Sequence, residues 1–233
     1  MQNKIRIAKY IANSGFCSRR EAEKLIHDKI VKINNKLCQH PSDTVCKKDK
    51  VQIGNKFIKL NDKIRLWKIY KPIKYICSTK DEKNRNKIFD LIPKEFPRTI
   101  SIGRLDFMSE GLLLLTNNGD FSRKMELPSM GYERVYRVCL RGHIEKKDID
   151  KINKGIKINK IIYERVKIKI DKSNNNFTWL IIKLKEGKNR EIRNICEYFS
   201  WKIVKLIRIQ FGPYKLGNLK EGLIEEIKVL KNA

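Results

Sequence analysis

One residue whose type and place could do chemistry is Asp106, in the stretch "IGRLDFMSEGLLLLTNNGD". A run of four leucines bounded by Gly111 and an Asn-Asn-Gly turn reads as a short buried strand, and Asp106 falls in the loop just before it. A loop held by a buried strand is a good platform for a reactive group. A carboxylate in such a place can also be a turn former or the ion-pair partner of Arg104. A second chemically loaded segment is "EGKNREIR", where Lys188, Arg190 and Arg193 crowd a loop and the start of a helix. Basic loops of this kind position a nucleic-acid backbone rather than read its bases. A third is "SRREAEKL", which sets Arg19, Arg20 and Lys24 on one helix.

Other chemistries find little support. The six cysteines are scattered without a C-x-x-C pair, which argues against a zinc ribbon or a disulfide framework and for reduced thiols. The histidines are isolated, and no Ser/His/Asp set suggests itself. Neither a metal nor a cofactor is expected.

The chain has 233 residues with 53 Lys+Arg against 26 Asp+Glu, a formal net charge of +27. Part of this excess is a Lys/Ile/Asn bias of the kind that AT-rich codons produce. The remainder favours a polyanionic partner, and nucleic acid leads. A hydrophobic fraction of 41% predicts a folded protein rather than a basic tail. With no apolar run near 18 residues and no leader-like N-terminus, a cytoplasmic protein that does not enter membranes is expected.

The elements that must hold these residues follow from periodicity. Ile5, Ala8, Ile11 and Ala12 recur at helical spacing up to a break at Gly15. Ser18 and Glu21 have capping-box spacing, so a helix should start at Ser18 with Ala22, Leu25 and Ile26 on its apolar side. "IVKINNKLC" predicts strand, Asn-Asn turn, strand, and "KVQIGNKFIKL" a second hairpin. Beyond Arg65 come a strand broken at Pro72, a polar loop with a short helix, the Asp106 stretch, and strands in "GYERVYRVCLRG" and "IIYERVKIKIDK". A strand, a loop, a helix from about Asn189 and a further strand follow. Strands outnumber helices without alternating with them, which predicts an α+β fold on a mixed, largely antiparallel sheet.

Two resemblances sharpen this. "KYIANSGFCSRREAEKLI" resembles the S4 RNA-binding domain over roughly residues 3–60, although Lys29-Ile30-Val31 and Asn34-Asn35 depart from that family's usual Gly-Arg-Val and Asn-Gly. "GRLDFMSEGLLLLTNNGD", Arg134 to Val138, and "EGKNREIR" with the following "LIRIQFGP" resemble, in order, the motifs of the RsuA/RluB-type ribosomal RNA pseudouridine synthases. The implied organisation is a small S4-like α/β RNA-binding domain over 1–61 and a catalytic domain over 62–233.

The resemblance implies isomerisation of a uridine in ribosomal RNA to pseudouridine. The N1–C1′ bond breaks, the ring turns and C5 rebonds, with neither a redox step nor a metal. It implies Asp106 as the catalytic carboxylate, Arg193 as its cationic partner with Arg104 second, and Tyr136 stacking on the extruded base. Leu206 would add an apolar wall. Arg19, Arg20, Lys24, Arg104, Lys188, Arg190 and Arg208 would contact RNA. The "EGKNREIR" form favours the large-subunit 23S rRNA as target of a monomeric enzyme. The alternatives are a small-subunit 16S enzyme or a non-catalytic S4-type assembly factor.

Overall fold

The computed structural model describes residues 4–61, 63–163 and 166–230. It divides into two compact units: residues 1–65 with 95–100 and 116–121, and residues 66–94, 101–115 and 122–233. The boundary expected between residues 61 and 62 falls on Asp62, which lies outside the described residues.

In the first unit, helices Ile7–Asn13 and Arg19–His27 precede a four-stranded antiparallel sheet. The capping box forms: Glu21 N donates to Ser18 Oγ at 3.2 Å and Ser18 N to Glu21 Oε2 at 2.9 Å. Two of the first orphan amides of the helix are thereby satisfied. Ala22 and Ile26 enter a core with Ile7, Ile11, Val31, Val45 and Val51. Asn34 and Asn35 both take positive φ, 50° and 68°, which turns the Val31–Ile33 strand back into Lys36–Leu37. Asparagine tolerates that region, so the missing glycine costs the hairpin little.

In the second unit the strands run in the order 166–173, 177–184, 134–141, 203–211, 110–116, 66–71, 224–227. The 203–211 strand pairs antiparallel with 134–141 but parallel with 110–116, through Ile207↔Glu110 and Arg208↔Gly111. The sheet is therefore mixed and mostly antiparallel. All seven residues of Glu110–Thr116 are buried, as expected of a leucine run covered on both faces. The parallel contact needs Gly111. Its φ is +100°, and a β-carbon there would lie 2.5 Å from the Arg208 carbonyl oxygen and 2.9 Å from the Arg208 nitrogen. No other residue type fits, because the clash is with backbone.

Two helices escape the sequence reading. Gly119–Glu126 follows directly on the Asn-Asn-Gly turn. Asn118 Oδ1 accepts the amides of Asp120 (3.0 Å) and Phe121 (2.8 Å), so the turn is a helix cap. Lys146–Lys154 buries only Ile149 and Ile152, and its lysines dilute the apolar period. The segment "IIYERVKIKIDK" contributes the strands Ile161–Tyr163 and Val166–Ser173. The C-terminal helix starts at Glu191, after Arg190 in the left-handed region at φ 52°. No helix among the described residues is long and apolar enough to cross a membrane.

Candidate active site

Seven of the ten expected site residues line one cleft of about 790 Å³ in the second unit: Arg104, Asp106, Tyr136, Lys188, Arg190, Arg193 and Arg208. The other three, Arg19, Arg20 and Lys24, are exposed on the Ser18-capped helix of the first unit.

Asp106 sits on a tight turn closed by Ser109 N donating to Asp106 O at 3.0 Å. Arg193, on the Glu191–Tyr198 helix, grips that turn. Its Nη2 donates to Met108 O at 2.9 Å and to Ser109 Oγ at 3.1 Å. Its Nε stands 3.5 Å from Asp106 Oδ2, an ion-pair distance without hydrogen-bond alignment, and that nitrogen finds no other partner among the described residues. The guanidinium therefore places positive charge beside the carboxylate without fixing its oxygens. Asp106 is 43% exposed at its side chain against 17% for Arg193. The carboxylate faces the cleft and the guanidinium is set into the wall. Of the two arginines considered as partner, the geometry selects Arg193; Arg104 is exposed.

Tyr136 comes from the Arg134–Arg141 strand, cross-strand from Arg208 and Ile182. It is half-buried and packs against the core that contains buried Leu206, which also lines the cleft. A ring held by one side leaves a face for stacking.

Two of the expected RNA contacts already have partners within the protein. Arg208 is 2% exposed, and its Nε donates to Leu112 O at 2.8 Å. The close parallel pairing at Gly111 draws the side chain along the neighbouring strand, where it braces the sheet and stacks with Phe211 at 5.2 Å. It lines the cleft while almost wholly buried, and its Nη2 has no hydrogen-bond partner among the described residues. Lys188 Nζ is engaged by Glu186 at 2.6 Å and by the Ile162 carbonyl at 2.6 Å. The Glu186 bond raises its pKa, so the charge persists but is partly neutralised.

Lys71 was missed. It is fully buried, and its Nζ donates to Ser109 O at 2.7 Å and Pro72 O at 2.8 Å, tying down the Asp106 turn from below. Strand alternation in "LWKIYK" sets Lys71 on the face of buried Trp67 and Ile69, which was the available signal. Beside it, Tyr70 donates to the buried Glu110 carboxylate at 2.8 Å. Glu191, 5% exposed, has its pKa raised by burial.

Burial lowers the Lys71 pKa from 10.5 to about 8, with nearby Cys77 and Asp106 opposing the shift. Between those values the unfolded chain binds a proton that the folded chain has released. The Lys71 contribution to stability therefore rises with pH across that window. Calorimetry of wild type and Lys71→Met at pH 7 and pH 10 should show the Tm difference moving in favour of wild type at the higher pH. A constant difference would mean that Lys71 does not titrate there.

The chain belongs to the RNA pseudouridylate synthase family, whose family model matches residues 65–198. An S4 domain matches residues 5–51. A protein of Rickettsia felis named uncharacterized RNA pseudouridine synthase is 45% identical over 95% of this chain and 96% of its own length. The ribosomal large subunit pseudouridine synthase B of Bacillus subtilis is 30% identical over 95% of this chain and 91% of its own. A crystal structure of a pseudouridylate synthase shares the fold at a TM-score of 0.67 and 23% identity, over 96% of both chains. The chain is thus an RNA pseudouridine synthase with an S4 domain ahead of its synthase domain.

Proposed function

We propose that the protein isomerises a uridine of large-subunit (23S) ribosomal RNA to pseudouridine, with Asp106 as the catalytic carboxylate. The observation that carries the reading is the Asp106 turn, pinned by Arg193 and Lys71 and opening into the cleft that Tyr136 lines. The large-subunit names among its relatives support the choice of RNA.

On this reading the uridine leaves its stack, at a cost of a few kcal/mol, and the Tyr136 ring recovers part of it. Asp106 acts at the sugar or the base while N1–C1′ breaks. The C5–C1′ bond forms, the proton leaves C5, and N1 takes one up, so the product is an isomer. No cofactor is consumed in this sequence. Arg193 keeps positive charge beside the carboxylate, which favours its ionised form. Arg104 and Arg190, exposed at the cleft, meet the RNA backbone. Residues 1–61 act as the RNA-docking domain and 62–233 as the catalytic one. The enzyme works as a cytoplasmic monomer.

The test is complementation. Cells lacking the gene should lose one pseudouridine from the large-subunit RNA when both rRNAs are mapped, and wild type but not Asp106→Asn should restore it. An unchanged map would overturn the reading; a loss confined to the small-subunit RNA would overturn the choice of target.

The helix Arg19–His27 is the proposed docking face. Changing Arg19, Arg20 and Lys24 together to Gln should weaken rRNA binding and lower kcat/KM more than kcat. It should also flatten the salt dependence of log K by about 2 to 3 for three phosphate contacts. Unchanged kcat/KM on rRNA fragments would remove the helix from the interface.

A further inference from the structure

The first unit carries a second basic feature, away from the Ser18-capped helix in sequence. The strands Val51–Ile53 and Lys56–Ile58 form a hairpin at the edge of the four-stranded sheet. Beside them lies a groove of about 540 Å³ lined by Lys48, Lys50, Phe57, Lys59 and the buried Tyr10. Phe57 is 58% exposed, the most exposed aromatic ring among the described residues. The three lysines are exposed as well.

The loop that presents the lysines is braced. Asp49 accepts Cys46 N at 2.7 Å through Oδ2 and Asn34 Nδ2 at 2.8 Å through Oδ1, and Lys50 N donates to Asn34 Oδ1 at 2.9 Å. Both carboxylate oxygens of the acid lining the groove are thus engaged inside the loop. What remains is an apolar ring among exposed ammonium groups, in a space of small-ligand size.

We propose that this groove takes one unstacked base of single-stranded RNA on the Phe57 ring, with the adjoining phosphates at Lys48, Lys50 and Lys59. The proposal rests on the RNA-modifying reading above and adds a contact for a splayed nucleotide other than the isomerised one. Stacking on an aromatic ring tolerates any base, and the lysines track the backbone without reading sequence. The rival occupant is a second protein chain adding a strand to the open edge at Lys56–Ile58. Lys56 and Lys59 flank that edge, and lysines on an edge strand oppose such pairing.

Full-length wild type, Phe57→Ala, Phe57→Tyr and a Lys48→Gln/Lys50→Gln/Lys59→Gln triple variant would be titrated against a fluorescent 12-nucleotide oligouridylate and a fully paired RNA hairpin. Phe57→Ala should weaken the oligouridylate by about 5- to 100-fold, the range of one base–aromatic stack, and leave the hairpin unchanged. Phe57→Tyr keeps the ring and should bind like wild type, which separates stacking from damage to the fold. The lysine triple should lower the salt slope by about 2 on the oligouridylate.

Wild-type affinity in Phe57→Ala, no binding of the oligouridylate by wild type, or equal losses on both RNAs would each overturn the proposal. So would a wild-type dimer, seen by sedimentation, that Phe57→Ala dissociates with RNA affinity intact. Asp106→Asn should bind the oligouridylate like wild type. Normal isomerisation with no Phe57 effect would therefore sink this surface alone, and lost isomerisation with a Phe57 effect would not touch it.

Discussion

Asp106→Asn is expected to leave less than about 1% of wild-type isomerisation while RNA affinity stays near wild type. The amide keeps the size of the carboxylate and can keep the turn, because the Asp106–Ser109 bond is made by backbone atoms. The grip of Arg193 on Met108 O and Ser109 Oγ also survives, since neither bond involves the Asp106 side chain. What disappears is the negative charge and the capacity to act as nucleophile or base. Tritium release from C5-labelled uridine in an rRNA transcript reports the chemistry, and filter binding reports the affinity. Residual turnover well above that level, with binding intact, would take Asp106 out of the reaction.

Arg193→Met should slow single-turnover isomerisation by at least ~100-fold, about 2.7 kcal/mol. Methionine fills much of the space of the stem but loses two hydrogen bonds to the Asp106 turn and the charge at 3.5 Å from its carboxylate. Without that donor, Met108 O and Ser109 Oγ no longer tie the turn to the helix, which makes it less well held. Arg193→Lys should fall between the two, because one ammonium cannot reach Met108 O, Ser109 Oγ and Asp106 together as the guanidinium fork does. The loss belongs in kcat, with KM little changed, since the residue braces the reacting group rather than the RNA. A Met variant at the wild-type rate would remove Arg193 from its assigned part.

The sequence was most informative where side chains announce their own local structure. Ser18 and Glu21 spelled a cap, the paired asparagines a hairpin, and the leucine run a strand buried on both faces. It was least informative where long-range packing decides. Arg208 looked like a phosphate ligand because it is an arginine in a basic segment. Its burial follows from pairing with Gly111, nearly a hundred residues earlier in the chain. Lys71 was hidden for the opposite reason: a lysine in a lysine-rich chain attracts no notice, and only the tertiary fold reveals that its ammonium is enclosed. The lysine bias also masked the helix Lys146–Lys154, whose two buried isoleucines were too few to declare a period.

The approach at Gly111 has a mechanical consequence. With no side chain between them, the 110–116 and 203–211 backbones cannot slide or part without losing direct contact. The Asp106 turn is rooted in the first of these strands and is held from two further directions by Lys71 and Arg193. A turn anchored at three points is a poor gate. On the reading proposed above, the motion that brings a uridine to Asp106 falls on the nucleic acid: the RNA must deform to fit a rigid receptor. Local weakness in the RNA fold, such as a bulge or a loop that surrenders its base cheaply, then selects the target as much as its sequence does.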